Sequence, residues 1–424
     1  MEPRSNPATV ERLLAGVDAA EDRYRTGWPG APETRQPVQV LYVPADRITA
    51  ELPTTLGAEA GRLLDAHAPD ARTFARAIGI EVGPLAEDVR QRVAVKLATE
   101  PIEDLRVDLE DGYLGRSEDQ EALDAVAAAR AVAGWITDGT APPFVGLRVK
   151  SFSDGLAWRS VATLDRFVGT LLEELGELPA GFVVTFPKIV SVAHVAAFVE
   201  VLDHLEDVHD LPRGRLRFEV QIETTPSVLG PEGRVELRAI REAGAGRICA
   251  AHLGVYDYTA GLGLPPGEQR LEHPACDFVR HLLQATFAGT EVRLSDGSNN
   301  AVPTADTREE LHRVWSRHAT SVRHSLAHGY VQGWDLHVSH LVSRYATVFA
   351  DLRQGLDDTF DRLQRWYADD HTGGVMDEPA TIRQLEAKVQ RAVDAGACDP
   401  DEVAAATGRR TTPRPATLWS GEPR

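Results

Sequence analysis

Short runs of apolar and β-branched residues alternate along the chain with longer stretches in which apolar positions recur every three or four residues. The short runs, at 38–43, 105–110, 144–150, 182–187, 216–223, 247–253, 290–294 and 329–334, read as eight strands. Between them, 118–136, 161–175, 192–205, 235–243 and 308–328 carry helical spacing. Strands separated by helices pair in parallel through right-handed crossovers, and eight such units close into a (β/α)8 TIM barrel. An open doubly wound sheet is the alternative, but no glycine-rich phosphate fingerprint follows an early strand.

The flanks add helices. Residues 7–24 read as one amphipathic helix, joined by the loop Gly27-Trp28-Pro29-Gly30-Ala31-Pro32 to the first strand and expected to cap the barrel floor. The interval between the first two strands is helical at 56–64, 71–78 and 85–97. Beyond the eighth strand, 338–367 and 381–395 read as helices parted by a polar break at 369–374, and the Arg-, Thr- and Pro-rich end from 409 reads as a mobile tail. The expected organisation is an N-terminal helix and linker over 1–36, a catalytic barrel over 37–350, a helical extension over 351–408 and the tail over 409–424.

Composition narrows the partners. The 424 residues carry a formal charge of −19, which repels phosphate backbones and anionic lipid, so general binding of nucleic acid or a membrane surface is disfavoured. Cys249, Cys276 and Cys398 are odd in number and too widely spaced for a disulfide framework or a CxxC zinc site, which points to a reducing compartment. The first residues lack a basic start backed by an apolar stretch, and no segment approaches the ~18 apolar residues of a membrane span, so a cytoplasmic location is expected. Lysine occurs only at 96, 150, 188 and 388 among 45 basic residues, so a lysine that persists points to a need for a compact ammonium.

In a parallel barrel the chemistry sits at the C-terminal ends of the strands. The second expected strand ends in Asp108-Leu109-Glu110-Asp111, the third in Arg148 and Lys150, the fourth in Lys188, the fifth in Glu223, and the sixth runs into Asp257. Two carboxylates such as Glu223 and Asp257, completed by water and a bidentate substrate, suit Mg²⁺. The ion would polarise the oxygens of an oxo or hydroxy acid and stabilise the enolate formed when a neighbouring bond breaks. The structural alternative is that each acid caps a helix or pairs with an arginine.

The strings Val107-Asp108-Leu109-Glu110-Asp111-Gly112, Leu147-Arg148-Val149-Lys150, Pro187-Lys188, Ile222-Glu223-Thr224-Thr225 and Gly254 to Gly263 stand in one order along the chain. In that order they closely resemble the signatures of the HpcH/HpaI aldolase and citrate lyase β-subunit family, of the pyruvate/phosphoenolpyruvate barrel superfamily. Leu41-Tyr42-Val43-Pro44-Ala45 resembles its opening strand and Gly329-Tyr330-Val331-Gln332-Gly333-Trp334-Asp335-Leu336-His337 its last, so the resemblance spans about 38 to 350. Malate synthases, which share the barrel, show kindred pieces, including the spacing from Pro187-Lys188 through Leu211-Pro212-Arg213-Gly214 to Glu223. Departures are His337-Val338 in place of the family's His-Pro, Lys150-Ser151-Phe152 in place of the malate synthase string, and no recognisable counterpart after Tyr345.

The resemblance implies Glu223 and Asp257 as ligands of Mg²⁺, with Mn²⁺ a substitute, Arg148 as the clamp on a substrate carboxylate, and Thr224 beside the substrate. Glu110 and Asp111 are expected to bind metal-bound water or hold Arg148, Lys188 to add positive charge near the enolate or pair with an acid, and Asp108 to be structural. A guanidinium fork suits a carboxylate, though an internal pair of Arg148 with Glu110 or Asp111 is the competing reading. Lys150 leans structural, and Asp296 with Ser298-Asn299-Asn300 reads as an ordinary turn. None of His312, His318, His324 and His328 forms His-Glu-x-x-His, so their helix is read as carrying no zinc site. His252 and His337, at strand ends, are the histidines better placed for acid–base work.

The expected activity is a Mg²⁺-dependent carbon–carbon lyase or aldolase acting on a small 2-oxo or hydroxy carboxylate, with a CoA thioester as one form of substrate. A malate-synthase-like Claisen condensation of an acyl-CoA with a 2-oxo acid is the alternative within enzymes. A non-catalytic carboxylate-binding regulatory barrel is the alternative outside them. A homo-oligomer is expected, and the acids Asp351, Asp357, Asp358 and Asp361 of the extension are candidates for the general base.

Overall fold

In the computed structural model, residues 5–369 and 378–418 are described. Eight strands, β1 (Gln39–Pro44), β2 (Asp104–Asp108), β3 (Phe144–Arg148), β4 (Phe182–Phe186), β5 (Phe218–Ile222), β6 (Ile248–Leu253), β7 (Arg293–Ser298) and β8 (Gln332–Asp335), pair in parallel in sequence order. β8 returns to β1 with Gln39 opposite Gly333 and Leu41 opposite Asp335, so the sheet is a closed (β/α)8 barrel.

Strand alternation sends Leu105, Val107, Val145, Leu147, Val184, Val220 and Ile222 outward into one large core beneath the helices. A helix such as Ala157–Leu175 meets that core with Leu164, Phe167, Val168 and Leu171, a single stripe at three- and four-residue spacing. Each such side chain stabilises the fold by about 1.5–3 kcal/mol when fully buried. Inside the barrel a second, small cluster forms from Val40, Tyr42 and Trp334.

The rest of the interior is charged, which the strand patterns did not suggest. Arg106, in the middle of β2, donates to both carboxylate oxygens of Glu219 (Nε 3.0 Å, Nη2 2.9 Å) and to both oxygens of Asp104. Trp334 donates its indole N–H to Nδ1 of His252 at 2.7 Å, and His252 Nε2 lies 3.0 Å from Glu219. His252, one residue before the end of β6, is thereby a fully buried interior residue.

β7 lies three residues later than its apolar run. Asp296 disguised it, for its carboxylate is neutralised on the helix side by Arg280 Nε at 2.9 Å and by the Ser325 hydroxyl at 2.6 Å. The N-terminal segment is two helices, Pro7–Leu14 and Val17–Gly27, without a buried residue, and the chain meets the floor near Trp28, where Gly30 donates to the Gly289 carbonyl.

Val338–Arg353 is the eighth barrel helix, buried over nearly its whole length because Leu52–His67, Pro84–Thr99, Arg308–Ala327 and Pro379–Ala395 all pack on it. The chain breaks at Gly355, in the left-handed region at φ +67°, before Leu356–Tyr367. A short helix, Pro400–Thr407, follows that the apolar pattern did not reveal.

Residues 409–418 lie along the barrel floor: Pro415 accepts from the Arg35 amide, Leu418 donates to the Ala180 carbonyl, and Leu418 lines the small cavity formed by Asp104, Arg106, Glu219 and Arg293. Seated there, this part of the expected tail is held. Its last six residues, 419–424, and positions 370–374 of the expected break lie outside the described residues. Among the described residues no helix is long and apolar enough to cross a membrane, and the three cysteines are buried and unpaired.

Candidate active site at the barrel mouth

Glu223 follows β5, and Asp257 sits in the first turn of the short helix Val255–Gly261 that follows β6. Glu223 is 2% exposed, whereas the Asp257 side chain is 44% exposed, so the pair spans the step from barrel interior to mouth. Between them stands Lys188, just past β4. Its backbone amide donates to Glu223 Oε1 at 2.7 Å, and its ammonium lies 3.1 Å from Asp257, 2.8 Å from Asp111 and 3.0 Å from Glu110. Gly254 makes room for the buried acid: a Cβ there would stand 2.3 Å from both Cβ and Oε2 of Glu223.

Arg148 ends β3, and its fork is already occupied. Nε and Nη2 donate to the two oxygens of Asp108, each at 2.7 Å, and Asp108 also accepts the amides of Glu110 and Gly112. The fork expected for a substrate carboxylate is thus engaged within the chain. The planar pairing that suits a carboxylate is spent on Asp108, and only Nη1 points on, 3.3 Å from Glu110 and 3.8 Å from Asp111. The guanidinium also stands over the Tyr42 ring, 5.0 Å from its centre. Asp108 thereby fixes both the arginine and the Glu110–Gly112 turn.

Burial pushes the Glu223 carboxyl up to about 8, opposed by Lys188 and reinforced by Asp257. Burial likewise raises Glu110, against the pull of Arg148 and Lys188. Asp111 is held low by Lys188 and Arg148, which outweigh its own burial, and Lys188 is raised well above the usual ammonium range by the surrounding acids.

Five carboxylates (Asp108, Glu110, Asp111, Glu223 and Asp257) face two cations (Arg148 and Lys188), so three negative charges are unmatched when all are ionised. Hard oxygen donors in excess of cations, one of them buried and resisting ionisation, fit a divalent ion of the Mg²⁺ kind.

Other expected residues make local bonds. The Thr224 hydroxyl, expected beside the substrate, donates to the Ile189 carbonyl and accepts from the Ser227 amide, so it caps the turn Thr225–Val228. Lys150 donates to the Leu109 carbonyl and lies 3.3 Å from Glu121, a structural role as expected. His337 caps Val338–Arg353, accepting from the Ser339 amide in place of the missing His-Pro turn.

Asp351 lines a cavity with Gly329, Val331, Lys388 and Arg391 at the floor, and Leu356–Tyr367, which carries Asp357, Asp358 and Asp361, follows from that end. A general base supplied by these acids within the same chain is thereby overturned, since a helix returning from β8 ends opposite the mouth.

Residues 17–414 match the model of a family described as a domain of unknown function (DUF6986). No curated protein matches in sequence. Among solved structures, a malate synthase from Haloferax volcanii in its magnesium/glyoxylate complex is similar at 16% identity and a TM-score of 0.47, over 88% of this chain and 94% of that one. An HpcH/HpaI aldolase/citrate lyase family protein from Burkholderia cenocepacia J2315 is similar at 13% identity and a TM-score of 0.40, over 76% and 94%. Similarity of this degree leaves the reaction to be read from the site itself.

Proposed function

The chain belongs to the DUF6986 family, and we propose that it is an enzyme that makes or breaks a carbon–carbon bond beside the carbonyl of a small 2-oxo or hydroxy carboxylate, in the manner of aldolases and citrate lyase β-subunits. The observation that carries this reading is the convergence of Glu223, Asp257, Glu110 and Asp111 on Lys188 at the C-terminal mouth of the barrel. Glu223 and Asp257 would hold Mg²⁺ or Mn²⁺, with Glu110 or Asp111 reaching it through water. When bound, the ion supplies Lewis acidity toward a substrate carbonyl.

The chain's own groups do the rest. Asp108 fixes Arg148 so that Nη1 alone is presented to a substrate carboxylate, a single oriented donor where two parallel ones were expected. Lys188 brings an ammonium within 3.1 Å of three acids and is the positive charge available to a developing oxyanion. Glu110, whose affinity for protons burial raises, takes a proton at Oε1, the oxygen that faces Lys188. The buried strand-end side of the cluster, around Glu223, keeps water from the reacting carbon.

Proton exchange in D₂O, with pyruvate and acetyl-CoA as probes, tests this whatever the full substrate is. With Mg²⁺ present, loss of the pyruvate methyl signal in the proton NMR spectrum, abolished in Glu223→Gln, supports the reading. Exchange confined to the methyl group of acetyl-CoA moves it to the condensing alternative, and exchange of neither contradicts it.

A further inference from the structure

The histidines of the helix Arg308–Ala327 gave no zinc motif in sequence, but a second helix brings in what that helix lacks. Asp277 and His281 are four residues apart on Pro274–Phe287, and His324 and His328 are four apart at the end of Arg308–Ala327, so each pair shares one face. These helices flank β7 and turn the two faces toward each other. Nε2 of His324 lies 2.8 Å from Asp277 Oδ1 and Nε2 of His328 lies 3.6 Å from it. The rings of His324 and His328 are 4.5 Å apart, and that of His281 is 5.5 Å from His328. All four residues sit on the outer ring of helices, apart from the strand-end acids of the mouth.

We propose that Asp277, His324 and His328 bind a Zn²⁺-class ion, with His281 placed to supply a fourth ligand. The donor set is two or three imidazole nitrogens with one carboxylate oxygen, which suits zinc and not magnesium. One ligand is already oriented for this. Nδ1 of His328 lies 2.9 Å from the His324 carbonyl, and because a carbonyl only accepts, the neutral ring keeps its proton on Nδ1 and turns the Nε2 lone pair toward Asp277. The Nε2 lone pair of His328 thus stands 3.6 Å from the Asp277 carboxylate with no hydrogen bond between the two, open to a shared cation.

Asp277 is held in place by Arg280, which donates to Oδ1 at 2.6 Å while its other nitrogens are anchored on Asp296 and the Leu271 carbonyl. The Arg280 Nη1 bond and the His324 contact both fall on Oδ1, which leaves Oδ2 as the oxygen for an ion. The partly exposed position gives the ion a path in, and its binding would tie the helices after β6 and β7 together.

The test titrates the full chain with Zn²⁺ against a chromophoric chelator, with Mg²⁺ in large excess to occupy the mouth. Wild type should retain one equivalent and melt at higher temperature with Zn²⁺. His324→Ala/His328→Ala should lose both effects, while Glu223→Gln keeps them; if the double variant does not fold, as judged by circular dichroism without metal, His328→Gln is read in its place. His281→Ala should weaken retention about tenfold. X-ray absorption should show imidazole nitrogens around zinc. No retained equivalent in wild type, equal retention in the His324/His328 variants, or an all-oxygen shell would overturn the proposal, and unchanged retention in His281→Ala would overturn the fourth ligand.

Discussion

The backbone amide of Lys188 hydrogen-bonds Oε1 of Glu223 at 2.7 Å while Lys188 itself is held in the left-handed region, at φ +48°. A non-glycine residue there costs on the order of 1–3 kcal/mol, so the surrounding structure must over-determine it. The same turn that aims the amide at the buried acid sends the ammonium among Glu110, Asp111 and Asp257. One residue thus anchors the proposed metal ligand and competes with the metal for the remaining acids.

That competition gives the first prediction. Lys188→Met removes one of the two cations at the mouth and keeps the backbone amide, so Mg²⁺ should bind more tightly while turnover is lost. Calorimetry and a rate assay on the same preparation check it; weaker Mg²⁺ binding in Lys188→Met would show that the ammonium does not share the ion's place.

The second concerns pH and stability. Glu223, raised from 4.5 to about 8, keeps its proton in the folded state at pH values where the unfolded chain has lost it. The folded form therefore binds more protons between about pH 4.5 and 8, and without divalent ions its stability falls as pH rises through that window. Glu223→Gln removes this slope, so the variant should overtake wild type in melting temperature near pH 8. Parallel melting curves for the two proteins from pH 5 to 9 would contradict it.

Arg148 gives the third. Arg148→Lys retains the charge but not the two-bonded fork on Asp108, so both the turn at Glu110–Gly112 and the Nη1 donor lose their position. A loss of about 2–4 kcal/mol in transition-state stabilisation is expected, from kcat/KM. Melting temperature should fall as well, because a buried pair is disturbed. Normal kcat/KM in a destabilised Arg148→Lys would confine this residue to the fold.

The barrel and the residues gathered at its mouth were legible because strand ends announce themselves: Asp108, Arg148, Lys188, Glu223 and Asp257 each interrupt an apolar run, and all five stand at the mouth. What the sequence hid was pairing. Asp104, Arg106 and Glu219 sit inside strands where an apolar interior is the usual solution, and nothing along the chain shows that they neutralise one another across the barrel. The occupation of Arg148 by Asp108, forty residues away in sequence, was hidden for the same reason. So was Asp277, which meets His324 only after the helices pack. The direction of Val338–Arg353 could have been read from the barrel rule itself, since a helix following the last strand must run back to the floor and carry Asp351 away from the mouth.

The floor supplies the fourth prediction. Alanine at Asp351, Asp357, Asp358 or Asp361 should leave turnover within about twofold, the scale of surface changes remote from the chemistry. Ending the chain after Gly408 should lower the melting temperature through loss of the Arg35–Pro415 and Ala180–Leu418 bonds, with turnover retained. A large rate loss in any of the four variants would place the base outside the mouth.

The most direct measurement is isothermal calorimetry with Mg²⁺ on wild type, Glu223→Gln and Asp257→Asn, at pH 7 in two buffers of different ionisation enthalpy. Wild type should bind one ion and release close to one proton, because Glu223 gives up the proton that its burial retains below about pH 8. Both variants should lose the site. One ion bound by all three proteins with the same affinity, or none bound by wild type, would contradict the metal-binding mouth on which the proposed reaction rests.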